Sequence, residues 1–182
     1  MREILLWVGI AIAAYLYRIL IRGVLNGDIK QSLATWGLWG VLDCITLASI
    51  IVQHGNWLVL AFYVIGSLAV CGALAYTKQF GWTWFETGVV GLVLVCVTVW
   101  YFGGAMLATV AGTLAIATAT LPQLRDSYRM PDRGTVRLWV GFTIVNFLSL
   151  VASKSLAIQE VFYPAICVGL TFALVFVNLR RR

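Results

Sequence analysis

Asp43 is the one acidic residue that falls deep inside an apolar run of this 182-residue chain. An ionised carboxylate at the centre of a membrane helix costs about 2.5–3.5 kcal/mol on insertion scales, so such a residue is kept for a use. Trp36, Trp39, Gly40 and Asp43 recur at steps of three and four, which puts them on one helical face. Trp139, Thr143, Asn146 and Ser153 follow the same kind of spacing further along. Each set presents an indole and, seven residues later, a hydrogen-bonding group. That is the chemistry of recognition: indoles stack on flat rings or sugar faces, while a carboxylate and an amide exchange hydrogen bonds with hydroxyls or amides. Two weakly polar stripes, Tyr63–Ser67–Cys71 and Tyr163–Cys167–Thr171, bring Tyr63 and Tyr163 into the candidate substrate site. The competing account keeps Asp43 protonated and bonded to a neighbouring helix for packing, with the tryptophans as interface anchors.

Reaction chemistry finds no support. His54 is the sole histidine and sits in a loop beside Gly55-Asn56. No metal cluster, no G-x-S-x-G, no H-E-x-x-H and no phosphate loop is present in the sequence, so neither an enzyme nor a metal or cofactor is expected. A retinal protein would need a lysine in its last helix, and residues 158–178 contain none.

The elements that must position these residues are membrane helices. Hydrophobic residues make up 62% of the chain, against roughly 45–50% in an average soluble domain. With only 11% charged residues, the net charge of +6 is not a nucleic-acid footprint. About 20 mostly apolar residues span a bilayer, and seven segments can be drawn, at roughly 4–21, 33–53, 57–76, 82–102, 104–123, 136–153 and 158–178. The first is read as a retained helix because no small-residue cleavage site follows it. Basic loops stay in the cytoplasm. Eleven of the thirteen basic residues, Arg18, Arg22, Lys30, Lys78, Arg125, Arg129, Arg133, Arg137 and Arg180 to Arg182, then collect on one side, leaving Arg2 and Lys154 on the other. This predicts a multi-pass protein with its N-terminus outside and its C-terminus cytoplasmic. Trp57, Trp82, Trp84, Trp100 and Tyr101 fall near helix ends as interfacial anchors. Gly103-Gly104 marks a tight turn. Cys44, Cys71, Cys96 and Cys167 lie within apolar runs and are expected to be small buried hydrophobes. Thr109, Thr113 and Thr120 share a stripe with Ala117, a pattern of close helix packing.

A shift of about 103 residues pairs Arg22 with Arg125, Trp36 with Trp139, Asp43 with Asn146 and Leu47 with Leu150. A shift of about 100 pairs Tyr63 with Tyr163, Ser67 with Cys167 and Cys71 with Thr171. Both map the first three segments onto the last three and leave the fourth unpaired. The expected fold is therefore all-α: seven transmembrane helices as two parallel three-helix-bundle repeats, residues 1–78 and 104–182, joined by a linker helix in 79–103.

Thr120-Leu121-Pro122-Gln123-Leu124 ends an apolar run with a helix-restricting proline before a basic loop. This Pro122-Gln123 motif resembles the PQ-loop superfamily, and the three-plus-one-plus-three plan is similar to the SWEET sugar transporters. Trp36, Trp39, Asp43 and Tyr63, with Trp139, Asn146, Ser149 and Tyr163, also look like the PnuC-type vitamin transporters. The first copy departs from the motif, because Ile19-Leu20 stands where a second Pro-Gln would fall. A mid-membrane asparagine pair of the sugar-transporter kind is also absent, Asn178 lying at the cytoplasmic end of the last helix.

Composition, spacing and resemblance together predict facilitated diffusion of a small polar solute, a sugar or a nucleoside-like vitamin, by alternating access. The central site would be formed by Asp43, Asn146, Trp36, Trp39, Trp139, Tyr63 and Tyr163, with Pro122 and Gln123 as a hinge. Proton coupling through Asp43 is the open alternative for energy supply. The expected partners are a solute and the lipid bilayer, a homo-oligomer being compatible with the reading. The rival class is a non-transporting membrane receptor or assembly subunit that keeps the same fold, and it predicts a packed interior without a cavity at Asp43 and Asn146.

Overall fold

A computed structural model describes residues 1–82 and 84–180, apart from the side chain of Asp126; Arg181 and Arg182 of the basic tail lie outside the described residues. The described chain is helical throughout, with no strand. It runs α1 (Arg2–Leu25), α2 (Leu33–Val52), α3 (Leu58–Tyr76), α4 (Trp84–Arg129), α5 (Val136–Val151) and α6 (Ile158–Leu179). Five of these are long and apolar enough to cross a membrane, and α5 is a shorter apolar helix, which fits a multi-pass membrane protein. Their outer faces carry large exposed apolar side chains, among them Ile4, Trp7, Ile65, Leu68, Phe172 and Phe176. A surface so apolar suits lipid and not water.

The element count is six, not the seven drawn from the sequence, and the reason lies at Gly104. Within α4 that residue alone leaves helical geometry, at φ 80° and ψ 174°, so two helices run into one another across a kink. A straight helix would hold Glu86 and Pro122, 36 positions apart, at roughly 54 Å. Both line one cavity, so the chain doubles back at Gly104 and α4 has two arms. The backbone there is one that only glycine adopts without strain.

The second arm does not stop at the proline. Helix continues through Pro122 to Arg129, which places Arg125 and Arg129 on the helix and not in a loop. Proline removes one backbone donor but its fixed φ is compatible with a helix, and the turns before it are reinforced by Thr118 and Thr120 hydroxyls donating to the carbonyls of Leu114 and Ile116.

Packing depends on small residues. α2 lies against α3 and α4, α1 against α3 and α5, and α6 against α4 and α5. A Cβ on Gly112 would overlap the Thr46 hydroxyl, so α4 and α2 touch backbone to side chain at that level. Thr109 and Thr113 are fully buried in the same seam, as close packing requires. The cysteines divide: Cys96 and Cys167 are buried, whereas Cys44 is exposed on the outer face and Cys71 half-buried. Trp57, Trp82, Trp84, Trp100 and Tyr101 are all exposed, as interfacial anchors would be.

The loops are pinned by two buried amides, Asn56 and Asn178, and by arginines near the two ends of the chain. Asn56 donates to the Ser149 carbonyl at 3.1 Å, and Asn178 accepts from the Asp132 backbone N–H at 2.9 Å while donating to the Leu174 carbonyl. Arg2 donates to the Ala152 carbonyl and shares a cavity with Lys154. Arg180 stacks over the Tyr128 ring, 3.8 Å from its centre, and donates to the Tyr128 carbonyl. The two ends of the described chain thus sit at opposite ends of the bundle.

Gly104→Ala forces a side chain into this backbone at a cost of about 1–3 kcal/mol, so the melting temperature in detergent should fall by several degrees. Gly103→Ala is the control: the added Cβ would meet the flexible Leu107 side-chain tip at 3.0 Å, and the melting temperature should move little.

Candidate functional site: a central cavity shared by six helices

All seven residues expected in a substrate site line one cavity of about 100 Å³: Trp36, Trp39 and Asp43 from α2, Tyr63 from α3, Trp139 and Asn146 from α5, and Tyr163 from α6. They reach it because each helix turns one polar-aromatic stripe inward. On α2, Trp36, Gly40 and Asp43 are all buried, and Gly40 faces the Ser67 side chain of α3. On α5 the buried positions Leu138, Phe142, Val145, Asn146 and Ser149 keep the three-and-four spacing.

Asp43 and Asn146 are 7% and 2% exposed, and each is met by a tyrosine from another helix. Tyr163 Oη donates to Asp43 Oδ1 at 3.0 Å, and Tyr63 Oη donates to Asn146 Oδ1 at 3.2 Å. The Asn146 amide is oriented by its own helix, Nδ2 donating to the Phe142 carbonyl at 2.9 Å. Trp36 donates to Gln31 Oε1 at 3.2 Å, which takes its N–H out of the cavity. Trp39 and Trp139 differ. Both indole nitrogens are buried and neither has a hydrogen-bond partner. An unpaired donor shielded from water costs about 1–3 kcal/mol, so two on one cavity mark where a bound group would be rewarded.

Aromatic packing holds these walls in place. The Tyr17 ring packs edge-on against Trp36, Tyr63 and Phe142, its centre 5.5 Å from that of Phe142, and its hydroxyl donates to the Tyr63 carbonyl at 3.3 Å. Trp36 and Trp39 meet in a T-shaped pair at 5.3 Å. Tyr17 and Phe142 line the cavity and escaped the sequence reading, as did the part played there by Thr120. A signal for all three was available: the 103-residue shift pairs Trp39 with Phe142 and Tyr17 with Thr120. Of the weakly polar stripes, Ser67, Cys167 and Thr171 reach the cavity, and Cys71 does not.

Pro122 and Gln123, expected as a hinge, line a second cavity of about 370 Å³ with Lys30, Gln31, Ser32, Thr35, Gly81 and Glu86. The Gln123 side chain makes no hydrogen bond among the described residues, so it does not bridge the carbonyl that the proline leaves free. Trp39 belongs to both cavities and forms the partition between them. Glu86 is buried near the start of α4 and accepts from the Thr35 hydroxyl at 3.3 Å. Glu160 is buried too, taking the Lys154 backbone N–H at 2.9 Å. Asp43 is therefore not the only buried carboxylate, but it is the one on the central cavity. No cluster of metal-ligating side chains occurs among the described residues.

No protein-family model, curated protein or solved structure matches the chain. The geometry is therefore what bears on function.

Asp43→Leu leaves the buried Tyr163 hydroxyl without an acceptor, so it should destabilise the protein by about 1–3 kcal/mol, although it removes a polar group. Adding Tyr163→Phe should recover most of that loss. A double-mutant cycle read by thermal unfolding should give a coupling of about 0.5–3 kcal/mol between the two positions.

Proposed function

We propose that this chain is a membrane transporter that moves a small polar solute by alternating access through the central cavity, as facilitated diffusion. The observation that carries the reading is the cavity itself: residues from α2, α3, α5 and α6 converge on it, with two indole N–H groups left unpartnered.

In this reading the first arm of α4 is a linker and the second arm, α5 and α6 repeat α1 to α3, giving seven spans in a three-plus-one-plus-three plan. Three features support it. The shifts that pair Asp43 with Asn146 and Tyr63 with Tyr163 turn the Tyr163–Asp43 bond into the Tyr63–Asn146 bond. The same exchange turns the contact of α1 with α5 into the contact of the second arm with α2, and in both copies the third helix packs on the first and the second. Gly9, which faces Val145 on α5, maps onto Gly112, which faces Thr46 on α2. The resemblance to SWEET and PnuC-type transporters agrees with this plan. The arginine-rich end, where the larger cavity opens, is the cytoplasmic one under the positive-inside rule.

The solute's chemistry follows from what the tyrosines leave unused. Trp39 and Trp139 offer donors only. Asp43 has a second oxygen to which no described protein group donates. A matching solute brings acceptors for two N–H groups and a donor or weak positive charge for the carboxyl, on a flat frame that stacks between indoles. Nucleoside-like vitamins and sugars both satisfy this. At about 100 Å³ the cavity is smaller than the roughly 150 Å³ void that holds benzene, so entry of such a solute requires the two bundles to separate, with Trp39 moving from the larger cavity's floor. The two satisfied polar pairs are also what a packing role would produce, which is the specific point in favour of a non-transporting protein.

A thermal-shift screen against sugars, nucleosides and vitamins tests the proposal, because a ligand that binds only the folded state raises apparent stability. A hit should weaken about tenfold in Trp39→Phe and in Trp139→Phe, which keep a ring and lose one donor. Absence of any hit, with no uptake into proteoliposomes, would favour the non-transporting class. Pro122→Ala should slow uptake while leaving the thermal shift nearly unchanged, and equal loss of both would make the proline a part of the site. Reporter fusions should find the N-terminus outside and the C-terminus inside; both on one side would overturn the seven-span plan.

A further inference from the structure

A groove of about 440 Å³ runs along the outside of the bundle between α1 and α3. Its floor is apolar, made by Ala14, Ile21, Phe62, Ile65 and Ala69, and two arginines, Arg18 and Arg22, border it. They stand one helical turn apart on the same face of α1. Both are exposed, and neither guanidinium has a hydrogen-bond or ion-pair partner among the described residues. α1 is 24 residues long, about 36 Å, against a hydrocarbon core of about 30 Å. Arg18, seven residues or about 10 Å before the end of the helix at Leu25, thus attaches inside the apolar layer, where an unpaired cation is costly unless its long side chain snorkels to a headgroup. Tyr17 floors the groove on one side and the central cavity on the other. Gly66 makes this arrangement feasible, since a Cβ there would overlap the Tyr17 ring.

We propose that this groove binds one anionic phospholipid, its phosphate held by Arg18 and Arg22 and an acyl chain lying over Ala14, Phe62, Ile65 and Ala69. The charge is complementary, and the apolar floor matches a chain and not a free anion. Because the chain would rest on Tyr17, occupancy stiffens the wall that the groove shares with the central cavity.

Native mass spectrometry of the detergent-purified protein with phosphatidylglycerol and, separately, phosphatidylcholine tests this. Wild type should retain one phosphatidylglycerol in preference to phosphatidylcholine. Arg18→Gln/Arg22→Gln should weaken retention about 30-fold, roughly fivefold per arginine. Ala69→Phe, which fills the groove and keeps both charges, should also lose the lipid. Circular dichroism melting of both variants in lipid-free detergent should match wild type, which keeps binding loss separate from misfolding. Equal retention of the two lipids by wild type overturns the proposal. So does unchanged retention in Ala69→Phe, which would mean a diffuse basic surface, and so does a second copy of the chain in place of the lipid.

Discussion

A polar side chain buried between apolar helices has no water to turn to, so it must find its partner in the protein. The interior of this bundle is arranged around that constraint. Asp43 and Asn146 could not stand where they do without Tyr163 and Tyr63, and those two tyrosines come from α6 and α3, reaching across to α2 and α5. Each bond therefore ties together helices distant in sequence. The threonines of α4 meet the same constraint locally, Thr109, Thr113, Thr118 and Thr120 each donating to the carbonyl four residues before. Where the constraint is left unmet, at Trp39 and Trp139, the indoles belong to residues that line the central cavity. A third unmet group among the described residues, the Thr46 hydroxyl, faces Gly112 in the α2–α4 seam instead.

Close approach of backbones sets the remaining geometry. Without Gly112 the Thr46 side chain could not enter the α2–α4 seam, without Gly141 the tip of Leu16 could not seat against α5, and without Gly66 the Tyr17 ring could not lie against α3. These contacts supply dispersion where lipid tails already remove any hydrophobic drive for helices to associate. One of them also seats an aromatic wall of the cavity: the Tyr17 ring fills the space that Gly66 leaves open.

Most of the inward-facing chemistry was legible from spacing. Asp43, the tryptophans and Asn146 sit at three-and-four steps inside apolar runs, and a polar residue there has few places to face but inward. Tyr63 and Tyr163 were weaker signals, because a tyrosine in an apolar run serves an interface equally well; what decides them is the acceptor on another helix, which is a tertiary fact. Tyr17 was invisible for the same reason, since its neighbours Leu16 and Leu20 account for the buried stripe of α1 without it. The reach of helix past Pro122 was misread because proline is tolerated wherever the surrounding turns are reinforced, and hydroxyl-to-carbonyl bonds do not show in a hydropathy pattern. Glu86 and Glu160 were not singled out, since a carboxylate near the end of an apolar run is ordinarily solvated, although burial makes them structural. The exposure of Cys44 reflects the inverted logic of a lipid-facing surface, on which an apolar residue is at ease on the outside.

The reversal at Gly104 has a consequence for how the chain enters a bilayer. A turn formed by one residue of non-helical backbone leaves no polar loop between the arms of α4, and the nearest charged residues on either side are Glu86 and Arg125. The translocation machinery would thus have no hydrophilic segment to pass across the membrane at this point. The two arms would go in together as a hairpin, with both charged ends remaining on the side of synthesis, and the far tip would offer neither a protease nor a glycosylating enzyme anything to reach.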